Sequence, residues 1–578
     1  MRSESFDVVI VGGTPGGIMA AIAAARAGSI AVILERTSHI GGLPANGLGA
    51  TDIATRGATA GLFVEFVERI RAHYVAAYGP DSEQARLSSG GYHFEASVAE
   101  KVLLAMLAEQ PKVAVRLARQ FDAQPANLDL DGTRIAALRV TERATGAAET
   151  YHGKVFVDAT YEGDLAAAAG VPFRTRREGH AEFKEPLAGR IYKVWGGEVG
   201  PGSTGEGDDV IQAYNYRLCL TDDPTRRVPI EKPARYDREE FASLAGDVKL
   251  NRITGTYHGE LEFDGIGRVV NMVRLPNAKT DSNNQHQAFI STDLPEENYP
   301  WPTADWTWRD AFAQRLKEYS LGLLYFAQND PALPETFREK CRRWGLAKDE
   351  YTDNAHFPRQ VYVREGRRIQ GRYFFTAHDA LPVQESARPP VHDSSITASH
   401  YPIDSHAVRK REDGRCHLDG FLSLSTKPYT VPYGVIVAAQ IENLLIPVPV
   451  SGTHLGFSTL RMEPCWMALG QAAGAAAALA AKTASPVPAV PVERIQRALL
   501  EQGAVLIYFK DAKPADRGFK GLQWTALRGA EPAWQARLND PITEGEAARF
   551  NAAAHTAAAF RAGETRGAFL ERLYAALG

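Results

Sequence analysis

The N-terminal thirty-five residues contain a complete strand–turn–helix–strand unit. Residues 6–11 (FDVVIV) form a short apolar run that is typical of a buried parallel strand. A glycine-rich turn, GGTPGG, occupies residues 12–17, and the alanine-rich segment after it predicts a helix that ends at Gly28. A second apolar run ends at Glu35, about twenty residues beyond the glycines. This order predicts a parallel α/β fold with a dinucleotide site at the end of its first strand.

The residue types of this unit suit the binding of a dinucleotide. Gly12 permits the tight turn off the strand, and Gly17 lets the helix pack closely on the sheet, so that the helix N-terminus faces a pyrophosphate. Glu35 can accept hydrogen bonds from both ribose hydroxyls and would repel a 2′-phosphate, which argues against NADP. Thr14 replaces the middle glycine of the usual motif, so the phosphates must tolerate a side chain there. The candidate phosphate-binding residues are Gly12, Gly13, Thr14, Pro15, Gly16 and Gly17.

A second glycine segment, RTSHIGGLPANGLGATD at residues 36–52, favours FAD over NAD. Its four glycines predict a loop that passes very close to something flat or crowded. NAD-dependent dehydrogenases need no such loop, whereas a chain that runs past a ribityl group and an isoalloxazine ring does. The candidate cofactor-binding residues from this part of the chain are Glu35, Arg36, Gly41, Gly42, Asn46, Gly47 and Leu48.

A third segment, residues 442–480, predicts a late strand, a loop and a small-residue helix that begins near Pro464. Such a helix N-terminus can face the N1–C2=O edge of a flavin, where negative charge accumulates on reduction. The alternative is an alanine-rich core helix. Asp158 and Thr160 follow another predicted strand, at the usual cofactor crevice. The further candidate cofactor-binding residues are Asp158, Thr160, Glu463 and Gly470.

Taken together, these motifs resemble those of the bacterial FAD-dependent oxidoreductases sometimes called xanthan lyase-like, which are related at greater distance to fumarate reductase flavoproteins. The motifs that carry the resemblance are GGTPGG, GGLPANGLGATD, YHFEASVAE, VDATYEGDLAAAAGVPF, LPNAKTDSNN, QVYVREGRRIQG, YPIDSH and the segment 442–480. The resemblance implies a glutathione-reductase-like FAD fold, an FAD-dependent enzyme and no particular substrate.

The predicted fold class is α/β, with three regions. A discontinuous Rossmann-like FAD-binding domain covers residues 1–180 and 430–485, and a mixed α+β substrate or cap domain, residues 181–429, is inserted into it. A proline-punctuated linker, SPVPAVPVE, leads into a mainly helical region at residues 486–578. The glycine-rich stretch at residues 196–209 follows no buried strand, so we predict a surface or lid loop there and no second nucleotide site.

Four residues outside the cofactor motifs are candidates for catalysis. His454 can accept the proton of an alcohol or amine, and Arg461 can stabilise reduced flavin or hold an anionic substrate, although both residues could simply bind FAD or cap a loop. Strand-like alternation puts Arg364 on one side with Tyr362, where the arginine either clamps a substrate or belongs to an internal ion-pair network. Lys279 lies in a predicted polar turn that could line a sugar-like substrate or be simple turn chemistry.

Composition excludes several classes of protein. The net charge of -4 shows no basic footprint for nucleic acid, and the four cysteines are too far apart for a disulfide framework, a zinc site or a redox pair. The most apolar stretch, residues 467–481, is too short to span a bilayer. We therefore predict a soluble cytoplasmic protein without a metal. His39 precedes the glycine pair Gly41–Gly42 at a spacing unlike that of covalently bound flavins, so non-covalent FAD is predicted.

The sequence leaves three functions open. The first is an FAD-dependent dehydrogenase or oxidase that transfers a hydride from a small polar substrate, such as a carbohydrate-derived alcohol, to flavin N5. The second is a fumarate-reductase-like carboxylic-acid reductase or desaturase, with Arg364 and Arg461 as the carboxylate clamp. The third is a flavin electron-transfer subunit with no small-molecule substrate of its own. A homo-oligomer or an electron-acceptor partner is compatible with each of them.

Overall fold

The computed structural model describes residues 2–253, 264–384 and 387–577. Within these residues the strands and helices alternate in the first part of the chain, and helices dominate the last part. The strands are β1 (Arg2–Val11), β2 (Ala31–Leu34), β3 (Val113–Arg116), β4 (Arg119–Gln120), β5 (Leu128–Asp131), β6 (Arg134–Glu142), β7 (Ala148–Asp158), β8 (Phe173–Arg174), β9 (Leu218–Thr221), β10 (Arg227–Val228), β11 (Val270–Leu275), β12 (Lys279–Asn284), β13 (Gly345–Ala347), β14 (Arg368–Ile369), β15 (Ser395–Ser399), β16 (Ile403–Ser405), β17 (Leu422–Leu424), β18 (Tyr429–Pro432) and β19 (Leu444–Leu445). The helices are α1 (Pro15–Arg26), α2 (Leu62–Tyr78), α3 (Glu83–Leu87), α4 (Ala96–Ala108), α5 (Asp164–Ala168), α6 (His180–Phe183), α7 (Ser243–Lys249), α8 (Trp306–Asn329), α9 (Glu335–Arg342), α10 (Ala377–Ala380), α11 (His454–Leu460), α12 (Glu463–Thr483), α13 (Val492–Glu501), α14 (Phe519–Ala526), α15 (Glu544–Ala554) and α16 (Arg566–Ala575).

The largest sheet has eight strands and is built around β1. The order β3-β2-β1-β7 is parallel, and β19 joins β7 in parallel, whereas β6 is antiparallel to β7. The residues from Val8 to Val11 are buried because β2 and β7 flank them on both sides. The strand begins at Arg2, earlier than the apolar run, because the long β7 offers a partner there for polar residues as well. The predicted α/β class and Rossmann-like sheet are confirmed.

Helices α1 and α12 pack against each other at very short range. A Cβ atom placed on Gly470 would lie 2.0 Å from the carbonyl oxygen of Gly16, and one on Gly474 would lie 2.1 Å from that of Ala20. The glycines and alanines of both helices are therefore required by this contact, since any larger side chain would force the helices apart. Gly470 thus has a packing role that the sequence did not predict, and its role in cofactor binding stays a prediction.

A separate antiparallel sheet forms between the two stretches of the large sheet. Its strand order is β10-β13-β9-β12-β11, and the longest helix of the described residues, α8, lies between β12 and β13 in the chain and packs on α9. The predicted polar turn at residues 277–284 is wrong for most of its length, because Lys279–Asn284 forms the strand β12, with β9 and β11 on either side. Polar residues occupy a buried strand here because they bond to one another and to neighbouring arginines.

The loop at residues 196–209 and the C-terminal helices have the kind of secondary structure that the sequence predicts. Residues 196–209 contain turns, bends and isolated bridges, and α13–α16 follow the proline-rich linker. The late segment contains two helices rather than one, since the short α11 precedes α12. The boundaries of the three regions stay a prediction. Among the described residues, no helix has the length and apolarity needed to cross a membrane.

Candidate functional site

The glycine turn after β1 is held in a conformation that needs glycine. Gly12 has a φ of +103°, and a Cβ atom on it would lie 2.7 Å from the backbone of Ala159. A Cβ atom on Gly17 would lie 2.1 Å from the carbonyl oxygen of Gly12. Both positions exclude a side chain, so the chain can leave β1 and enter α1 in a very tight turn. Gly12 and Thr14 line a large cleft at this point.

Thr14 is the N-cap of α1. Its hydroxyl accepts a hydrogen bond from the N–H of Gly17 (3.2 Å) and donates one to the carbonyl oxygen of Ala159 (2.8 Å). Thr14, which replaces the usual glycine, therefore connects the start of α1 to the end of β7, because its hydroxyl bonds to both elements.

Glu35 follows β2 and forms part of the same cleft. Its carboxylate accepts hydrogen bonds from the N–H of Gly13 (2.8 Å) and the N–H of Thr37 (2.7 Å), one on each oxygen. Each oxygen keeps a further lone pair, so two ribose hydroxyls can still be accepted. The backbone contacts hold this carboxylate beside the glycine turn.

The cleft encloses about 920 Å³ of empty space, part of which opens to solvent. Aromatic side chains form part of its walls, and they are Phe121, Tyr161, Trp301 and Trp306. Arg36 stacks on Trp306, with 3.9 Å between the guanidinium carbon and the ring centre. Burial raises the pKa of Glu162, another wall residue, to about 7, which reduces the negative charge near the glycine turn. A glycine cradle, a carboxylate and flat apolar walls fit the pyrophosphate, ribose and adenine of FAD. The predicted residues that line the cleft are Gly12, Thr14, Glu35, Arg36, Gly42, Asn46 and Thr160.

The glycine loop at residues 41–52 is crowded by the protein itself. A Cβ atom on Gly42 would lie 2.4 Å from the Tyr161 hydroxyl, and one on Gly47 would lie 1.8 Å from the carbonyl oxygen of Arg217. Close approach to other parts of the chain therefore explains these glycines, which corrects the interpretation that a cofactor alone requires them. Gly42 and Asn46 line the cleft, whereas Leu48 is buried in the core.

Asp158 organises the turn between β7 and α5. Its carboxylate accepts hydrogen bonds from the N–H and hydroxyl of Thr160 (3.1 and 2.7 Å) and from the N–H of Ala166 (2.8 Å). Burial raises its pKa to about 6 despite these bonds. Thr160 lines the cleft and Asp158 does not, so the aspartate acts on the cleft indirectly, by holding Thr160 in place.

Glu463 begins α12 and is buried. The hydroxyl of Tyr161 donates to its Oε1 and also accepts from the N–H of Leu43 (3.1 Å). No described group bonds to its Oε2, and burial raises the pKa of Glu463 to about 8. The carboxyl is therefore protonated at neutral pH, so it does not oppose negative charge at this helix N-terminus.

A buried cluster of charged residues lies beside the glycine loop. Arg461 donates to the Tyr362 hydroxyl (2.9 Å), and the guanidinium carbon of Arg364 lies 4.7 Å from the centre of the same ring. Arg364 and Tyr362 are therefore close, but residues 363–367 form no strand, so the predicted strand alternation is not the reason. We call this group the arginine cluster; its members are Arg217, Arg364, Arg461, Tyr362, Asp52, Asp281, Asp293 and Asp404. Every guanidinium in it faces at least one carboxyl group.

Alternate residues of β16 and its continuation point into two different networks. Asp404 and His406 face the arginine cluster, where His406 lies between Asp293 (2.9 Å) and Asp404 (3.5 Å). Ser405, on the other face, bonds to Nε2 of His454 (3.0 Å), and Nδ1 of His454 bonds to Glu365 (2.9 Å). Period-two alternation explains this division.

The Ser405–His454–Glu365 arrangement has the contacts of a charge-relay triad, but all three residues are buried. Neither the cofactor cleft nor the cavity formed by residues 284–295 and 407–421 includes them in its wall. Since both ring nitrogens of His454 already have partners, the histidine meets a substrate only if one partner moves.

Lys279 is surrounded by carboxylates. Its ammonium group lies 2.7 Å from Glu95, 2.7 Å from Glu350 and 3.0 Å from Asp349, and it is outside both large cavities. These contacts use its three N–H donors, so the lysine joins β12 to the segments around it, and we no longer count it among the catalytic candidates.

His39 lines the cleft and uses both ring nitrogens. Nδ1 lies 2.8 Å from Glu100 and Nε2 lies 2.9 Å from Asp353. A covalent flavin link would have to displace one of these carboxylates.

Several residues of the cleft and of the arginine cluster were not identified from the sequence. They are Asp52, Phe121, Tyr161, Glu162, Arg217, Asp293, Trp301, Trp306 and Asp404. Asp52 is the last residue of the second glycine segment and Asp404 lies in YPIDSH, so both belong to motifs that carry the family resemblance. The two tryptophans carried no such signal, because only folding brings α8 and the segment before it, which contains Trp301, to the cleft. Among the described residues, no group of three or more His, Cys, Asp or Glu side chains could hold a metal ion.

A sequence profile of the FAD dependent oxidoreductase family matches residues 7–499, so the chain belongs to the FAD-dependent oxidoreductases. It is accordingly a flavoenzyme with FAD as its cofactor. No curated protein matches the sequence.

Solved structures show only distant likeness in fold. The 3-ketosteroid-Δ4-(5α)-dehydrogenase of Rhodococcus jostii RHA1 is 17% identical over 29% of this chain and 49% of its own, with a TM-score of 0.19. The myxobacterial chondrochloren halogenase CndH is 17% identical over 39% of this chain and 45% of its own, with a TM-score of 0.22. THI4 of Thermovibrio ammonificans is 19% identical over 30% of this chain and 66% of its own, with a TM-score of 0.20. The chain thus spans less than half the length of the first two structures.

Proposed function

We propose that the protein is a dehydrogenase or oxidase that removes a hydride from a small, neutral, hydroxylated substrate, with a carbohydrate-derived alcohol as the favoured class. The observation that carries this proposal is the charge balance of the arginine cluster, in which three guanidinium groups face four carboxyl groups. Such a site has no surplus positive charge for an anionic substrate, whereas its many donors and acceptors suit hydroxyl groups.

The cofactor occupies the cleft in this proposal. Residues 1–180 and 430–485 form the FAD-binding domain, residues 181–429 cover it, and residues 486–578 pack outside it. FAD, when bound, supplies the hydride acceptor. The residues proposed to hold it are Gly12, Gly13, Thr14, Pro15, Gly16, Gly17, Glu35, Arg36, Gly41, Gly42, Asn46, Thr160 and Glu463, with Gly47, Leu48 and Asp158 shaping the loops around them.

Asp52 is the residue we assign as proton acceptor. Its side chain is 21% exposed, against 1% for Asp281, 6% for Asp293 and 10% for Asp404, and its one described hydrogen bond, to Arg217, is long at 3.5 Å. Although Asp52 is the most exposed of the four carboxyl groups, its partial burial and the nearby Asp281 and Asp404 carboxylates raise its pKa, which suits a general base. Asp52 accepts the hydroxyl proton while the alcohol becomes a carbonyl compound.

Arg461 and Tyr362 orient the substrate oxygen next to Asp52. The arginine is kept in place by the backbone carbonyl of Asp404 (2.7 Å) and donates to the tyrosine hydroxyl, which remains able to donate in turn. His454, with Glu365 and Ser405, supports α11 from behind the cluster and acts as a positioning residue.

A fumarate-reductase-like carboxylate clamp has less support. It would need Arg364 and Arg461 to be free, and Asp293 lies 2.8 Å from Arg364 while Asp404 lies 3.5 Å from Arg461. An electron-transfer subunit also has less support, because α8 and residues 359–363 cover the cleft.

Anaerobic bleaching of the flavin tests the proposal. The holoenzyme is mixed with sugars, polyols, amines, hydroxy acids and dicarboxylates, and absorbance near 450 nm is followed. We expect a neutral sugar or polyol to bleach the flavin. Bleaching by dicarboxylates alone, or only by a partner protein, would overturn the proposal.

The role of Asp52 is tested with Asp52→Asn. We expect the rate of bleaching to fall by about 100-fold or more, since a general base contributes about that much, and KM to change little. Asp131→Asn, on the exposed end of β5, is the matched control and keeps the wild-type rate. An unchanged bleaching rate in Asp52→Asn would rule out its assignment.

The proposal includes FAD that is bound without a covalent link. The yellow colour should therefore leave the polypeptide when the protein is denatured. The motif order supports a place among the xanthan lyase-like enzymes, and the separated cysteines support a reducing, cytoplasmic compartment. An electron acceptor, whether oxygen, a quinone or a partner protein, reoxidises the flavin, and a homo-oligomer or an electron-acceptor partner is compatible with this function.

A further inference from the structure

A second cavity, of about 870 Å³ including its opening to solvent, lies in the inserted region away from the FAD cleft. Two chain segments form most of its wall, residues 284–295 and 407–421, and α8 adds Tyr319. None of the motif residues proposed to hold FAD lines it. The cavity is large enough for a sugar-sized molecule.

The charged residues of this cavity are neutralised by partners. Arg409 lies 2.6 Å from Asp208, Lys410 lies 2.8 Å from Glu297, and Arg411 lies 3.1 Å from Asp247. A charged ligand would have to compete with these carboxylates, or it would lose its hydration without gaining a counter-charge. The cavity therefore favours a neutral ligand.

The uncharged part of the wall combines flat and polar groups. Phe289 lies under the guanidinium of Arg411, 4.0 Å from it, so its ring orientation is fixed, and Phe421 and Tyr319 add further rings. Asn284 and Ser291 bring an amide and a hydroxyl to the same wall. Aromatic faces beside amides and hydroxyls match a sugar ring, whose C–H groups are apolar and whose hydroxyls need donors and acceptors.

One wall residue joins the cavity to the arginine cluster. Asp293 lines the cavity, forms an ion pair with Arg364 (2.8 Å) and lies 2.9 Å from His406. Asn284, also in the wall, accepts from Arg364 at 3.3 Å. A ligand that occupies the cavity would therefore contact the cluster directly through Asp293.

We propose that this second cavity binds a neutral saccharide ring next to the arginine cluster. That the ring belongs to the substrate rests on the proposed function, whereas the existence of the site does not. The proposal names the chemistry of the ligand, a neutral polyhydroxylated ring, and makes no choice among individual sugars.

Binding is measured on the FAD-loaded protein by titration calorimetry with neutral monosaccharides and disaccharides, together with a uronic acid. Ala288→Trp fills the cavity at a partly exposed wall position, and Phe289→Ala removes the ring platform. Ala552→Trp, on the exposed face of α15, is the control. Each cavity variant should weaken binding of the neutral sugar at least about tenfold with FAD content unchanged, and the control should bind like the wild type.

Two outcomes would overturn the inference: no neutral sugar binds up to its solubility limit, or binding is the same in the wild type and Ala288→Trp. The flavin separates this inference from the proposed function. Sugar binding that depends on the cavity, without bleaching, supports the site and contradicts the proposed function. Bleaching by sugar that is equally fast in Ala288→Trp supports the function and contradicts the assignment of the cavity's ring to the substrate.

Discussion

Thr14 illustrates what a single residue contributes in this fold. It occupies a position where glycine is usual, and its hydroxyl caps α1 and bonds to the end of β7. We expect Thr14→Ala to lower the free energy of unfolding by about 1–2 kcal/mol, because an N-cap and a buried acceptor lose their partner. Urea unfolding of the holoenzyme measures this. Thr14→Ser keeps the hydroxyl and should retain most of the stability; equal stability of the alanine variant would contradict the assigned role.

Glu463 couples stability to pH. Burial raises its pKa to about 8 in the folded protein, whereas an unfolded glutamate titrates near about 4.3. Between these values only the folded state keeps the proton, so stability falls as pH rises, by about 1.4 kcal/mol per pH unit at most, and the fall ends above the folded pKa. Glu463→Gln cannot titrate there. The wild type should therefore lose stability relative to this variant from pH 5 to pH 8 in urea unfolding, and parallel curves would refute the prediction.

Residue types alone did not reveal why the second loop contains glycines. Gly42 and Gly47 were predicted as cofactor-binding residues, yet their missing Cβ atoms make room for Tyr161 and Arg217. The sequence shows that these positions are glycines, but the atoms that leave no room for a Cβ belong to distant segments of the chain. The same holds for Lys279, whose three carboxylate partners lie in two other segments.

Among the elements, the pair α1 and α12 places the cofactor turn. We expect Gly470→Ala to destabilise the holoenzyme by about 2 kcal/mol or more, since its Cβ would meet the carbonyl oxygen of Gly16 and overpack the contact. FAD should also be released more easily, because Gly16 belongs to the phosphate turn. Thermal unfolding and FAD content of the purified protein measure the two effects.

The matched control for this contact is Gly545→Ala. Gly545 lies in α15, and no other group is within 4 Å of where its Cβ would be. Alanine is the better helix former, so this variant should be as stable as the wild type or slightly more so. If both glycine variants behaved alike, close packing of α1 on α12 would not be the reason for Gly470.

The short elements were the least predictable. The alternation of β16 separates Asp404 and His406 from Ser405, and a pattern of period two is visible in the sequence. Which face meets which partner depends on α11 and on residues 364–368, and no local pattern contains that information. The strand β12 was mistaken for a turn because its polar residues are satisfied only by tertiary partners.

At the scale of the whole molecule, one buried ion pair joins the cofactor sheet to the inserted region. Arg309 of α8 forms two hydrogen bonds with Asp164 at the start of α5 (2.6 and 2.9 Å), and Arg367 lies 2.6 Å from the same carboxylate. Arg309→Met leaves the aspartate with one partner and should cost about 3 kcal/mol in unfolding free energy. FAD affinity should fall as well, since Trp301 and Trp306 beside Arg309 line the cleft.

A double variant separates charge from packing in this contact. Arg309→Met, Asp164→Asn and their combination form a double-mutant cycle. Because Asp164→Asn alone leaves Arg309 and Arg367 without a carboxylate, the double variant should lose less stability than the two single variants together, measured by the same urea unfolding. If its loss equalled the sum of the single losses, Arg309 and Asp164 would not be coupled, and this pair would not help to join the two parts.

The sequence by itself determined the α/β class, because an apolar run, a glycine turn, a helix and an acid lie within about thirty residues. It determined FAD and the family through further short motifs, the glycine segment at residues 36–52 and the late segment at residues 442–480 among them. It also located the glycine turn after β1, whose Gly12 and Thr14 line the cleft. Only the tertiary structure decided which charged residues meet. The arginine cluster joins side chains from residues 52, 217, 281, 293, 364, 404 and 461, and their mutual neutralisation, which underlies the proposed neutral substrate, exists only once the inserted region folds over the glycine loop. Burial and ion pairing act through space, whereas a sequence pattern records only neighbours along the chain.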